Sequence, residues 1–285
     1  MLEGKNMNPW LLLDVNFLCH RVRYSMPALT YDGKATGIIY GFLQTVQYLE
    51  KQFESNRVVF CFDSRYNLRK DMLPTYKANR KVEPADETKQ IFIRDFRLQM
   101  AKLRVKYLHG VGYTNIFVQT GYESDDILAS IAQRIPKKQT AIIVTADHDL
   151  FQCIQGNISV YNPIQRKTTN LQRFYKTYGI KPNQWHEMKA IAGCSSDNIK
   201  GVPGVGEKTA IKYLRKEKIS GRLYERIEQF KQTIDYKLNL ALVTLPLDGT
   251  MRFKLKPNKF SKRKWDRLVN KLGMYSLDQN IQSQT

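Results

Sequence analysis

The sequence predicts an α/β fold in two parts: a doubly wound, mostly parallel sheet over residues 8–170, then a helical lobe over residues 171–285. Three observations lead there. Short apolar runs alternate with helix-period patterns through the first part, as β-α units require when helices cover both faces of a parallel sheet. Several of those runs end on an acid. From Leu171 onward the strand signals fade, and helical segments rich in Lys and Arg replace them.

The candidate strands are Trp10–Leu13, Val58–Phe62, Ile116–Val118, Ala141–Val144 and Ile158–Tyr161, short apolar runs of the kind a fully buried strand shows. Phe92, Phe96, Met100, Leu103 and Tyr107 recur at helical spacing, and Ile127–Ile135 forms a second apolar helix ended by Pro136. In the second part, the glycine-rich GVPGVGEKTA interrupts the helices near residues 195–215. Met251–Lys264 is strongly basic and reads equally as a solvated linker or as a DNA-contacting surface. The closing QNIQSQT is expected to fray.

With 285 residues and 42% hydrophobic content the chain can bury a sizeable core. Its 46 Lys and Arg against 26 Asp and Glu give a formal charge of +20, which favours a polyanionic partner through counterion release. The excess is uneven: residues 1–160 carry 21 basic and 16 acidic side chains, residues 161–285 carry 25 and 10. The second part is the stronger phosphate binder on this count. Cys19, Cys61, Cys153 and Cys194 are widely spaced with no C-x-x-C, which argues against a disulfide framework or a structural zinc site. The N-terminus lacks the pattern of a signal peptide and no apolar run is long enough for a membrane helix. The expectation is an intracellular, cytoplasmic protein without a membrane partner, and a monomer.

Asp14 follows WLLL, Asp63 follows VVFCF and Asp147 lies just beyond AIIVT. Ligands of open parallel sheets bind at the carboxyl ends of the strands, so these acids should converge on one edge. A single acid there is as readily a helix cap; three together shift the balance. GYESDD adds Glu123, Asp125 and Asp126 at a helix start, TADHD adds Asp149, and CSSDN adds Asp197. Crowded carboxylates raise one another's pKa unless cations neutralise them. Oxygen donors without a Cys or His cluster favour Mg²⁺ or Mn²⁺ over zinc. An EF-hand is disfavoured because the acids come from separate elements, and a phosphatase would not need the basic second part. His148, inside the acid segment, is left out of the ligand set.

The run Arg69–Lys81 (RKDMLPTYKANRK) follows the second acidic strand. Cations beside an acidic cleft can hold a phosphate, and Tyr76 can stack on an unpaired base. Gly201, Gly204 and Gly206, with Lys208 and Thr209, fit a helix-hairpin-helix turn, where main-chain amides approach a phosphate without side-chain obstruction. The spacing is wrong for a Walker A loop.

In order, LLLDVN, VVFCFD, LPTYKANR, GYESDD, TADHDL and SSDNIKGVPGVGEKTA resemble the 5′→3′ exonuclease and flap endonuclease superfamily, in its bacterial polymerase-associated and phage forms. The likeness covers Trp10 to Leu214. It implies a PIN-like nuclease domain with a helical arch, and a C-terminal lobe with a helix-three-turn-helix motif where K⁺ helps hold duplex phosphate. By the same resemblance Asp14, Asp63, Glu123, Asp125, Asp126, Asp147, Asp149 and Asp197 fall on metal-centre acids. Lys77 and Arg80 fall on arch cations at the scissile phosphate, and Arg69 and Tyr76 on neighbouring DNA-binding positions. Val15 stands where the family has Gly, and Cys194 where it has a metal-binding Asp; a thiol is a poor Mg²⁺ ligand.

The reading is a structure-specific 5′ nuclease, exonuclease and flap endonuclease, that uses two or more Mg²⁺ (or Mn²⁺) and leaves a 5′-phosphate and a 3′-hydroxyl in replication, repair or primer removal. Its partners would be 5′-flap, nicked or 5′-ended DNA, or an RNA–DNA hybrid, and a separate DNA polymerase. The rival readings are a junction binder that has lost catalysis, for which Cys194 is the argument, and an enzyme acting mainly on RNA primers.

Overall fold

A computed structural model describes residues 8–26, 29–80 and 86–280. Strand β1 (Trp10–Asp14) lies at the centre of a six-stranded sheet. Every residue of β1 is buried, and Leu11 and Leu13 face one side while Leu12 faces the other, as the two-residue period of a strand dictates. β4 (Val58–Cys61) and β6 (Ala141–Val144) flank β1, with β5 (Ile116–Phe117) outside β4 and β7 (Ile158–Asn162) outside β6, all parallel. All five expected strands are present within one residue at either end. β8 (Lys167–Thr169) adds an antiparallel edge that periodicity did not reveal, because three polar residues, one exposed and two half-exposed, carry no apolar signal. A small hairpin, β2 (Thr30–Tyr31) and β3 (Lys34–Ala35), lies outside this sheet.

Helices cover both faces. α1 (Val15–Ser25), α2 (Gly37–Gln52) and α5 (Leu108–Val111) pack on the Leu11 and Leu13 side. α6 (Ser124–Ala132) packs on the Leu12 side. Each buried Leu or Val of these layers contributes about 1.5–3 kcal/mol of transfer free energy. α3 (Arg69–Met72) opens the basic run. α4 (Glu87–Lys102) continues into a π-helical turn at Leu103–Tyr107, so the expected 92–107 helix is real but locally wound wider. Lys81 lies outside the described residues.

The second part is helical, as expected: α7 (Leu171–Tyr178), α8 (Trp185–Ala192), α9 (Glu207–Leu214), α10 (Gly221–Lys231) and α11 (Ile234–Val243) share the core on the Leu12 side. The two-residue strands β9 (Gly193–Cys194) and β10 (Ile199–Lys200) form a hairpin between α8 and α9. The chain then turns back. Residues 251–260 run extended along β5, and α12 (Lys262–Leu272) buries Trp265, Leu268 and Val269 in the Leu11 and Leu13 core. The end of the second part therefore belongs by packing to the first. Of the expected frayed tail, 281–285 lie outside the described residues. Among the described residues no helix is long and apolar enough to cross a membrane.

Candidate metal centre

The acids gather at the carboxyl edge of the sheet because β1, β4 and β6 are adjacent and parallel. Asp14 ends β1 and caps α1, accepting from the Phe17 amide (3.1 Å), and it also accepts from Thr145 Oγ1 (3.1 Å) and Ser124 Oγ (3.2 Å). Ser124 reaches a second acid: its amide donates to Asp63 Oδ1 (2.8 Å). Asp63 is fixed further by its own amide, which donates to Asn16 Oδ1 (3.1 Å). Thr145 accepts from the Asp147 amide (3.1 Å), and Asp147 in turn caps the turn holding Asp149 (2.8 Å). The cap reading and the site reading thus hold for the same side chains.

Electrostatics mark the cluster as under-neutralised. Burial, then Asp63, pushes Asp14 up to about 7. Burial followed by Asp14 and Asp147 lifts Asp125 well above the carboxylate range. Burial also raises Asp63, and burial with Asp149 raises Asp147. Asp125 Oδ1 is buried without a hydrogen-bond partner.

Cations close over the rim. Lys77 Nζ pairs with Glu123 (2.6 Å), Lys189 Nζ with Asp149 (2.7 Å) and Arg80 with Asp197 (2.6 Å). Burial alone would raise the Glu123 pKa, but Lys77 and Arg69 outweigh it and hold it below its usual value. Lys77 has a left-handed backbone (φ 53°), a conformation that costs a non-glycine residue energy and persists only where surroundings fix it. Here its amide donates to Asp197 O (3.1 Å), Asn79 Nδ2 to Ser195 O (3.2 Å), and Asn198 Nδ2 to Thr75 O (2.9 Å). The basic run is fastened to the hairpin that carries Asp197.

Three assignments need correction. Asp126, read as a metal ligand, is fully buried and turned to the other side of α6. Its oxygens take Arg69 in a bidentate pair (2.7 and 2.8 Å), the Leu247 amide (2.8 Å) and the Glu123 amide (3.1 Å), which fills its acceptor sites. Arg69, read as a DNA contact, is 1% exposed and also donates to Leu242 O (2.8 Å); it is a strut between the sheet domain and the helical part. Tyr76, read as a stacking platform, is 3% exposed, and its hydroxyl donates to Glu123 (3.0 Å). No base can reach its ring. Asp14, Asp63, Glu123, Asp125, Asp147 and Asp149 gather near the strand ends, and Asp197, on the hairpin turn, is joined to them through Arg80 and Lys77.

Sequence reasoning missed Lys189, Asn16 and Thr145. Lys189 sits on α8, 40 residues from its partner Asp149, and no local pattern links them. Thr145 stood within the quoted strand end as an apparent spacer. His148 stacks on Phe151 (4.5 Å), in keeping with its omission. Cys194 is half-buried, with Sγ 3.1 Å from Ser196 Oγ.

In the hairpin, a Cβ at Gly201 would strike the Ala192 main chain, and Gly204 is left-handed (φ 81°). Gly206 caps α9 with no side chain over the helix amides and open space where a Cβ would stand. Gly204, Gly206 and Lys208 are exposed.

Residues 9–179 match the family described as 5′-3′ exonuclease, N-terminal resolvase-like domain, and residues 180–266 match 5′-3′ exonuclease, C-terminal SAM fold. The chain belongs to the 5′-3′ exonuclease family. This exonuclease-family chain is 32% identical over 240 residues to thermostable DNA polymerase I of Thermus thermophilus, a match covering 83% of the chain but 27% of the polymerase. It spans about a quarter of the length of such polymerase relatives. It is 28% identical to a 5′-3′ exonuclease of Buchnera aphidicola, covering 95% of the chain and 98% of that protein. In fold it is similar to the bacteriophage T5 flap endonuclease solved with DNA and metal ions (TM-score 0.67, 18% identity, 96% and 97% covered). The family and the fold class expected from the sequence are borne out.

Divalent ions fit the edge on its own chemistry: the donors are oxygens, Asp125 has an orphaned buried oxygen, and among the described residues Asp14, Asp63, Asp125 and Asp147 enter no ion pair. Among the described residues no group of three or more His, Cys, Asp or Glu is arranged to hold an ion directly.

Proposed function

We propose that the chain is a structure-specific 5′ nuclease that hydrolyses DNA phosphodiesters near 5′ junctions, leaving a 5′-phosphate and a 3′-hydroxyl. The observation that carries the reading is the convergence of Asp14, Asp63, Asp125 and Asp147, each with its pKa raised by desolvation and by a neighbouring carboxylate. With Glu123, Asp149 and Asp197 they would hold Mg²⁺ or Mn²⁺. Such ions supply water activation and stabilisation of the leaving oxygen when bound.

The chain's own residues hold and orient the substrate. Lys77 and Arg80 stand at the rim and exchange their carboxylate partners for the scissile phosphate, holding its charge in a partly dry site. Gly201, Gly204 and Gly206 let the α9 amides approach a duplex phosphate, with Lys208 and Thr209 beside it. These contacts read no bases, so specificity falls to junction shape. Cys194, in the slot of a family ligand, weakens the second ion position. A separate DNA polymerase is the proposed working partner of a monomeric chain.

Labelled 5′-flap, nicked and RNA–DNA hybrid substrates, each incubated with Mg²⁺ or Mn²⁺, test the reading. Cleavage one or a few nucleotides around the junction is expected, with product ends of the stated chemistry. Tight binding without cleavage in either metal would instead establish a junction binder, and cutting confined to hybrids would make RNA primers the substrate.

A further inference from the structure

The basic run 251–260 has no part in the site above. It contains Arg252, Lys254, Lys256 and Lys259, and no Asp or Glu occurs between Asp248 and Asp266. The segment is anchored throughout its length. The Met251 amide donates to Gln119 Oε1 (2.8 Å) and Ser130 Oγ donates to Met251 O (2.7 Å). Asn115, 1% exposed, both donates to Lys256 O (2.7 Å) and accepts from the Lys256 amide (2.8 Å). The Lys259 amide donates to Gly112 O (2.8 Å), and a Cβ at Gly112 would strike Lys259 O. Phe253 packs on Phe117 of β5 with ring centroids 4.9 Å apart.

Alternation does the rest. Phe253 and Leu255 face the core, while Arg252, Lys254, Lys256 and Lys259 are exposed. Among the described residues none of the four enters an ion pair. Side chains two apart on an extended chain stand about 6.8 Å apart, close to two rises of one strand of duplex DNA. The row starts beside Gln119, at the carboxyl edge of the sheet, and runs antiparallel to β5.

The geometry points to residues 251–260 as a second DNA contact, a preformed cationic rail that holds the phosphate backbone of substrate duplex where it leaves the catalytic edge. This rests on the nuclease reading. The rail's order is already fixed by folding, so binding need not order its backbone.

The test is the salt dependence of binding of a flapless nicked duplex in chelator, for the parent chain and for the Arg252→Gln/Lys254→Gln/Lys256→Gln variant. Each lost phosphate contact lowers the slope of log K against log salt by about 0.9, so a drop of about 2–3 is expected. An unchanged slope in a variant with a native melting curve overturns the rail. If the variant misfolds, differential acetylation of the native chain decides: protection of Lys254 and Lys256 by duplex supports the rail, and equal labelling with and without duplex overturns it. Protection by phosphatidylserine vesicles and not by duplex also overturns it. Flap cleavage by the parent is scored separately, so its absence counts against the nuclease reading while the slope still judges the rail.

Discussion

Asp125 and Asp126 are neighbours at the start of α6, the first half-buried and the second fully buried, yet the two sides of that helix treat a carboxylate in opposite ways. On the Asp126 side every acceptor site is met, by Arg69 and by two main-chain amides. On the Asp125 side one oxygen has no partner, and the charges that act on it most strongly are other carboxylates. Burial of a charge is tolerable when it is fully paired and costly when it is not. The difference separates an acid that holds the fold together from one whose cost is retained for something the folded chain must bind.

The sharpest way to break the comparison is to remove each acid in turn. Asp125→Asn should lower metal-dependent cleavage by at least about a hundredfold, or about 2.7 kcal/mol of barrier, while leaving the metal-free melting temperature level or higher. Asp126→Ala should do the reverse in its primary effect, costing about 3–5 kcal/mol of stability by stranding buried Arg69; thermal melts read this directly. If Asp126→Ala melted like the parent and Asp125→Asn melted far lower, the two roles would have to be exchanged.

The pH dependence sharpens the same contrast. Raised carboxylate pKa values mean that the folded, metal-free chain holds protons the unfolded chain has released, so this contribution to stability declines as pH rises from about 4 through about 7. Metal-free melting temperature should accordingly be lower at about pH 8 than at about pH 5.5, and Mg²⁺ should restore it at the higher pH. A metal-free melting temperature that climbed across this interval would contradict the assignment. The smallest effect is expected at the rim: Cys194→Asp should raise cleavage in Mg²⁺ several-fold, with less gain in Mn²⁺. Identical metal titrations for the two chains would remove Cys194 from the ion's surroundings.

Much of this was legible beforehand. The strands around Asp14, Asp63 and Asp147 announced themselves because a central parallel strand is apolar on both faces, and strand ends fix where the next side chain lies. Side-chain direction was not legible. Asp126 turns away because the Leu247 amide, 121 residues distant, meets it, and no spacing in GYESDD encodes that approach. Arg69 and Tyr76 looked like phosphate and base contacts because their types suit that work, but burial, a property of the assembled fold, reassigned them. The return of α12 to the first core was hidden for a similar reason: its apolar face named no partner.

The turn from Thr75 to Arg80 is bolted to the 195–198 loop by main-chain and side-chain bonds on both sides. A rigid coupling of this kind makes the duplex clamp and the phosphate-gripping cations one tool instead of two. On the proposed function, a duplex phosphate docked at Gly206 would thereby set the reach of Lys77, so a lesion in the clamp should be felt as misplaced chemistry as well as weakened grip.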